Sequence, residues 1–140
     1  MRTDLHRAVV IFSRCGPRWV SRLFREKYGH VAVGDEDVIY DPFMSPAAPF
    51  IPINQYRKVI ARFAPIELII PTPRGVFEHE TCCQSGSQSG PCGSFAAWVW
   101  SVMTFRDCVS LACSRLLSAG VDIPQVFRPS TLVSELARRV

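Results

Sequence analysis

The sequence predicts an α+β domain in which a small antiparallel sheet packs against helices. Three observations carry that expectation. A short β-branched run lies near the N-terminus, a hairpin pattern follows it, and the C-terminal part shows helical spacing closed by Gly120. The 140 residues suit one domain, since two of ordinary size need roughly 200 or more. Residues 1–140 are therefore expected to form one unit. With 48% hydrophobic and 20% charged residues, the composition excludes a disordered chain or an acidic tail.

Taken in order, Arg7 to Ser13 holds the continuous run Ala-Val-Val-Ile-Phe, which suits a buried strand. Cys15-Gly16-Pro17 reads as a turn. Trp19, Val20, Leu23 and Phe24, with arginines between them, then predict an amphipathic helix over 17–27. Residues 29–42 read as a hairpin. If its turn centres on Asp35-Glu36, His30 lies directly opposite Asp41 and the two side chains share a face. Residues 42–56 contain prolines at 42, 46, 49 and 52 and predict a surface loop. Ile66 to Ile70 predicts a strand, with a possible further strand at 57–63. Residues 81–94 are rich in Gly and Ser and predict a second loop. Phe95 to Met103 predicts a buried segment, and its Ala pair favours helix. A helix over 107–119, with Val109, Ala112 and Leu116 inward and Gly120 as its stop, is followed by a closing helix over 130–139 capped by Ser130.

The net charge of +4 is spread along the chain. A basic stripe with aromatic interleaving is missing, which argues against specific nucleic-acid binding. The longest largely apolar stretch, Phe95 to Met103, is nine residues interrupted only by Ser101, about half of a membrane span, so no transmembrane segment is expected. The five-residue apolar stretch Ala8 to Phe12 is shorter than a secretory h-region. The expected location is the cytoplasm, or carriage by a virion or another route without a signal peptide.

Six cysteines stand at 15, 82, 83, 92, 108 and 113. Without a secretion signal, paired disulfides are disfavoured. Cys15 and Cys113 read as structural. His79, Cys82, Cys83 and Cys92 match no common zinc spacing, so neither a metal nor a cofactor is expected, and a redox-sensitive loop is an equal alternative for them. Trp98 and Trp100 read as core.

Cys108 falls in the first turn of the helix predicted from Asp107. Unpaired N–H groups and the positive end of the helix dipole favour a thiolate there, where a nucleophilic cysteine belongs. The competing role is that of a small hydrophobe on a core face. Asp107 reads as an N-cap, which is compatible with either role. Asp41, before Pro42, is otherwise a turn residue.

Asp107-Cys108-x-x-Leu111, a Gly twelve residues after the Cys and the following Ile123-Pro124 resemble the nucleophile helix of the NlpC-type papain-fold hydrolases. In those enzymes the histidine follows the cysteine. Here Gly29-His30-Val31 precedes it, which resembles the circularly permuted branch that includes the YiiX-like and lecithin:retinol acyltransferase-like proteins. Trp19-x-Ser21-Arg22-Leu23 and Arg128-Pro129-Ser130-Thr131-Leu132 extend the likeness to most of the chain outside 42–56 and 76–95.

The resemblance implies a permuted papain-like fold and a Cys108–His30 pair. His30 takes the thiol proton, the sulfur attacks an acyl carbonyl to form a thioester, and the Cys108 backbone N–H donates to the oxyanion. His30 then protonates the leaving group and activates water or another acceptor. A third group orients the imidazole: Asp41 by the hairpin register, or Tyr40. The implied activity is cleavage of an amide bond, with a peptide or acyl substrate and a cell-wall peptide as a candidate. The alternatives are an acyltransferase or thioesterase on the same fold, and a non-catalytic accessory or virion-associated binding module.

Overall fold

The computed structural model describes residues 6–14, 27–42, 44–45, 47–77, 108–124, 126 and 128–139. Its frame is a mixed α/β arrangement on a five-stranded sheet: β1 (His6–Ser13), β2 (His30–Gly34), β3 (Val38–Tyr40), β4 (Phe50–Pro52) and β5 (Ile66–Thr72). The strand order is β4-β3-β2-β1-β5, and every pairing is antiparallel. Helix α1 (Ile53–Ile60) runs into a 3₁₀ turn, Ala61–Phe63. Residues 108–118 form α2, and Pro129–Ala137 form α3.

The apolar run of β1 explains its central place. Ala8, Val9, Val10, Ile11 and Phe12 are all buried because both sheet faces are covered. Ala8, Val10 and Phe12 join Val31 and Val33 against Val109, Ala112 and Leu116 of α2 and Leu132 and Leu136 of α3. Val9, Ile11, Ala32 and Ile39 face Ile53, Tyr56 and Ile60 of α1. The alternation of the strands thus divides the apolar residues into two clusters, one on each side of the sheet.

Helix α2 meets the expectation for its described part. Gly120 adopts φ 93°, its N–H donates to the Leu117 carbonyl, and the Val121 N–H donates to the Leu116 carbonyl. This pair of bonds is a Schellman stop, which needs the left-handed conformation that glycine tolerates. Cys113 is buried, as a structural cysteine should be.

Four expectations are corrected. Residues 42–56 are not one loop: Phe50–Pro52 add an edge strand, and Ile53 begins α1. Residues 57–63 are helical rather than extended, because Ile53, Tyr56 and Ile60 repeat at helical spacing over the sheet. The closing helix starts at Pro129 after Arg128, so Ser130 lies inside it and is not its cap; proline suits that first position because its missing N–H would have no helical partner.

The fourth correction concerns the hairpin. The observed pairs are Val33↔Tyr40 and Gly34↔Ile39, two residues away from the expected register. The cause is Asp35, whose Oδ1 accepts from the Asp37 and Val38 N–H groups while its own N–H donates to the Val38 carbonyl. The tip therefore falls at Glu36-Asp37. A shift of two preserves which side chains share a face, so Asp41 moves opposite Ala32 and stays diagonal to His30. Gly34 allows the close approach of β3, since a Cβ there would lie 2.1 Å from the Val38 carbonyl oxygen.

The 66–70 strand extends through Pro71 to Thr72. β5 is an edge strand, where a proline need not donate to a further neighbour. Arg57 of α1 ties to Glu67 of β5 through two hydrogen bonds of 2.9 and 3.0 Å. The expectations for Cys15, the 17–27 helix, the 81–94 loop with its Cys/His cluster, the 95–103 segment with Trp98 and Trp100, and Asp107 fall outside the described residues. No helix among the described residues is long and apolar enough to cross a membrane.

Candidate active site

His30 opens β2 directly opposite Ser13 of β1. Strand pairing fixes its backbone, and Gly29 before it donates to the Ser13 carbonyl. The ring is buried, with Nε2 2.6 Å from Asp41 Oδ2. Asp41 follows β3, where its N–H donates to the Pro49 carbonyl and its own carbonyl accepts from the Ser45 N–H. Its Oδ1 accepts from the Met44 N–H at 3.1 Å. Asp41 thus starts a turn and orients the imidazole at once.

Tyr56 completes the carboxylate's partners, donating its hydroxyl to Asp41 Oδ2 at 2.7 Å. This residue was missed in the sequence because α1 was hidden behind four prolines. The available signal was Ile53, Tyr56 and Ile60 at helical spacing immediately after Pro52.

Cys108 comes from the opposite cluster, at the first described position of α2. Its side chain hydrogen-bonds to His30. Because the carboxylate occupies Nε2, that nitrogen carries the donated proton, and Nδ1 is the ring nitrogen left for sulfur. The described structure therefore brings together Cys108, His30 and Asp41. Tyr40, the fallback third residue, lies instead against the Arg115 guanidinium, 4.6 Å from ring centroid to Cζ.

Electrostatics follow from this packing. Burial opposes charge on His30, but the charge and hydrogen bond of Asp41, with the Cys108 side chain, hold its imidazolium well above the ordinary value of 6.5. Burial likewise opposes charge on Asp41; the His30 charge and hydrogen bond, the Tyr56 hydroxyl and the Met44 N–H outweigh it and keep the carboxyl below its ordinary 3.8. Burial pushes the Cys113 thiol up, an effect only partly offset by a backbone hydrogen bond at Val126.

A narrow crevice opens beside Asp41 and Cys108, lined also by Ala32, Leu111 and Arg115 among the described residues. Comparison with models of protein families, with curated proteins and with solved structures found no match to this chain. The chemistry of the site must therefore be read from its own groups. Among the described residues no cluster of three or more His, Cys, Asp or Glu side chains is arranged to hold a metal ion. A thiol, an imidazole whose charged form is favoured and a buried carboxylate that holds it make an arrangement suited to proton transfer from sulfur and nucleophilic attack.

Proposed function

We propose that the protein is a cysteine-nucleophile hydrolase that cleaves an amide bond through a thioester. The observation that carries this reading is the buried chain of contacts from Cys108 through His30 to Asp41. The Cys108 thiol proton passes to Nδ1 of His30, forming the imidazolium that Asp41 holds charged, and sulfur adds to the substrate carbonyl. The ring then gives that proton to the departing amine, leaving an acyl group on Cys108. Water, deprotonated by the same nitrogen, attacks the thioester; sulfur leaves and the acid is released. Asp41 keeps Nε2 protonated, holds the ring plane and stabilises its positive charge. An acceptor other than water would make the same thioester serve acyl transfer.

The permuted papain-like, NlpC-type assignment belongs to this proposal, supported by the order His30 then Cys108 and by the sequence patterns around each. A cell-wall peptide is the candidate substrate, and a cytoplasmic or virion-carried protein is the proposed setting.

Iodoacetamide at neutral pH supplies the test. Cys108 should be alkylated far faster than Cys113 and the other cysteines, and Cys108→Ser should remove the fast phase. Incubation with p-nitrophenyl acetate should leave an acetyl adduct on Cys108 by intact mass, and added amines should shorten its life if the enzyme transfers acyl groups. Equally slow alkylation of all six cysteines would eliminate the nucleophile and leave a binding module.

A further inference from the structure

Arg115 is a buried cation that the proposed reaction does not use. Only 3% of its surface is exposed, and it lines the same crevice as Cys108. Its guanidinium lies 4.6 Å from the Tyr40 ring and 5.3 Å from the Phe77 ring. One edge reaches the Val76 carbonyl through Nη1 at 3.4 Å. Its Nε is buried with no hydrogen-bond partner. Among the described residues no carboxylate pairs with it, and the acid nearest in the crevice, Asp41, is already engaged by His30, Tyr56 and Met44.

A buried charge without a counter-charge is costly, and the two rings and one long hydrogen bond compensate it incompletely. The unpaired Nε–H lies in the plane of the guanidinium, whose N–H donors match a planar carboxylate. Arg115 stands two turns after Cys108, with Leu111 and Ala112 of the same crevice between them on one face. The rise between the two backbones is about 10 Å, and helical side chains lean toward the N-terminus. Arg115 and Cys108 thus line one crevice.

We propose that Arg115 is a specificity-determining residue that binds a substrate carboxylate located about one or two residues from the scissile carbonyl. This rests on Cys108 being the nucleophile. The carboxylate is either the end of a peptide chain or an acidic side chain.

Three alkylating probes test it: N-iodoacetyl-glycine, the α-amide of N-iodoacetyl-aspartic acid, and neutral N-iodoacetyl-glycinamide. In each, the Cys108 thiolate displaces iodide from the methylene carbon to form a thioether, so reactivity alone is matched. At least one anionic probe should label Cys108 about tenfold faster than the neutral one, as a charge-assisted hydrogen bond allows. Faster reaction of the glycine probe assigns a chain-terminal carboxylate, and faster reaction of the aspartyl probe assigns a side chain. Arg115→Lys should retain part of the preference, while Arg115→Met should abolish it, read in each variant as the ratio of the anionic to the neutral labelling rate. Because the imidazolium of His30 also attracts anions, a preference that survives Arg115→Met overturns the proposal. So does a wild-type protein that reacts quickly with all three probes at similar rates, a result that leaves the nucleophile standing. Slow reaction with all three removes the nucleophile, and this inference with it. The wild-type comparison stands even if Arg115→Met fails to fold.

Discussion

Nε2 of His30 and Oδ2 of Asp41 lie 2.6 Å apart, with side chains only 8% and 1% exposed. Each group keeps the other charged in a place where burial alone would neutralise both. Asp41→Ala should therefore lower stability by about 2–3 kcal/mol in denaturant unfolding. Asp41→Asn retains an acceptor oxygen but loses the charge, so the imidazole titration followed by NMR should move down. An unchanged His30 titration in that variant would assign its elevation to another source.

The same pair sets a pH window. His30 is raised above its ordinary 6.5, so its contribution is full below that value and is lost as pH rises through the folded-state value. Asp41 is lowered from 3.8, so its contribution is present above that value and is lost as pH falls through the lowered one. The stability difference between wild type and His30→Gln should be largest between about 4 and 6.5 and shrink on either side. A difference that grows above neutrality contradicts this sign.

Tyr56 donates to the carboxylate from α1. Tyr56→Phe preserves the ring in its cluster and removes one hydrogen bond to a charged acceptor, a loss of about 1.5–3 kcal/mol. The carboxyl of Asp41 should titrate higher in the variant, and alkylation of Cys108 should slow. Normal kinetics with lowered stability would make Tyr56 a structural support alone.

Gly34 and Gly120 should respond differently to alanine. At Gly120 the φ of 93° strains any side chain by about 1–3 kcal/mol, and the new Cβ would meet Pro73 Cγ at 2.8 Å. Stability should fall while Cys108 alkylation stays near wild type. At Gly34 the Cβ would be 2.1 Å from backbone oxygen, which forces β2 and β3 apart. That hairpin carries His30 and leads to Asp41, so fast alkylation should be lost there even in variants that still fold.

Legibility differed by element for physical reasons. The β1 strand, the hairpin and α2 were readable because each has a strong local pattern: a β-branched run, paired apolar segments, and helical spacing ending in glycine. α1 was not, since its helical spacing covers only eight residues and follows a proline-rich stretch; its folding depends on Tyr56 and its isoleucines covering the sheet. The register of the hairpin depended on side-chain hydrogen bonds of Asp35, which a count of residues across the turn does not reveal.

The sequence by itself determined the α+β class, the single long β1 run, the Gly120 stop and the choice of Cys108, because these rest on local spacing and residue chemistry; His30 was singled out by the family resemblance, and Asp41 by a hairpin register that the structure shifts by two while keeping the shared face. Only the tertiary structure decided that Tyr56 supports Asp41 and that Arg115 is buried beside Cys108 without a carboxylate partner among the described residues. Those relationships join residues from separate elements across the two faces of the sheet. Long-range packing determines which polar groups lose water and which partners replace it, and no local pattern encodes that outcome.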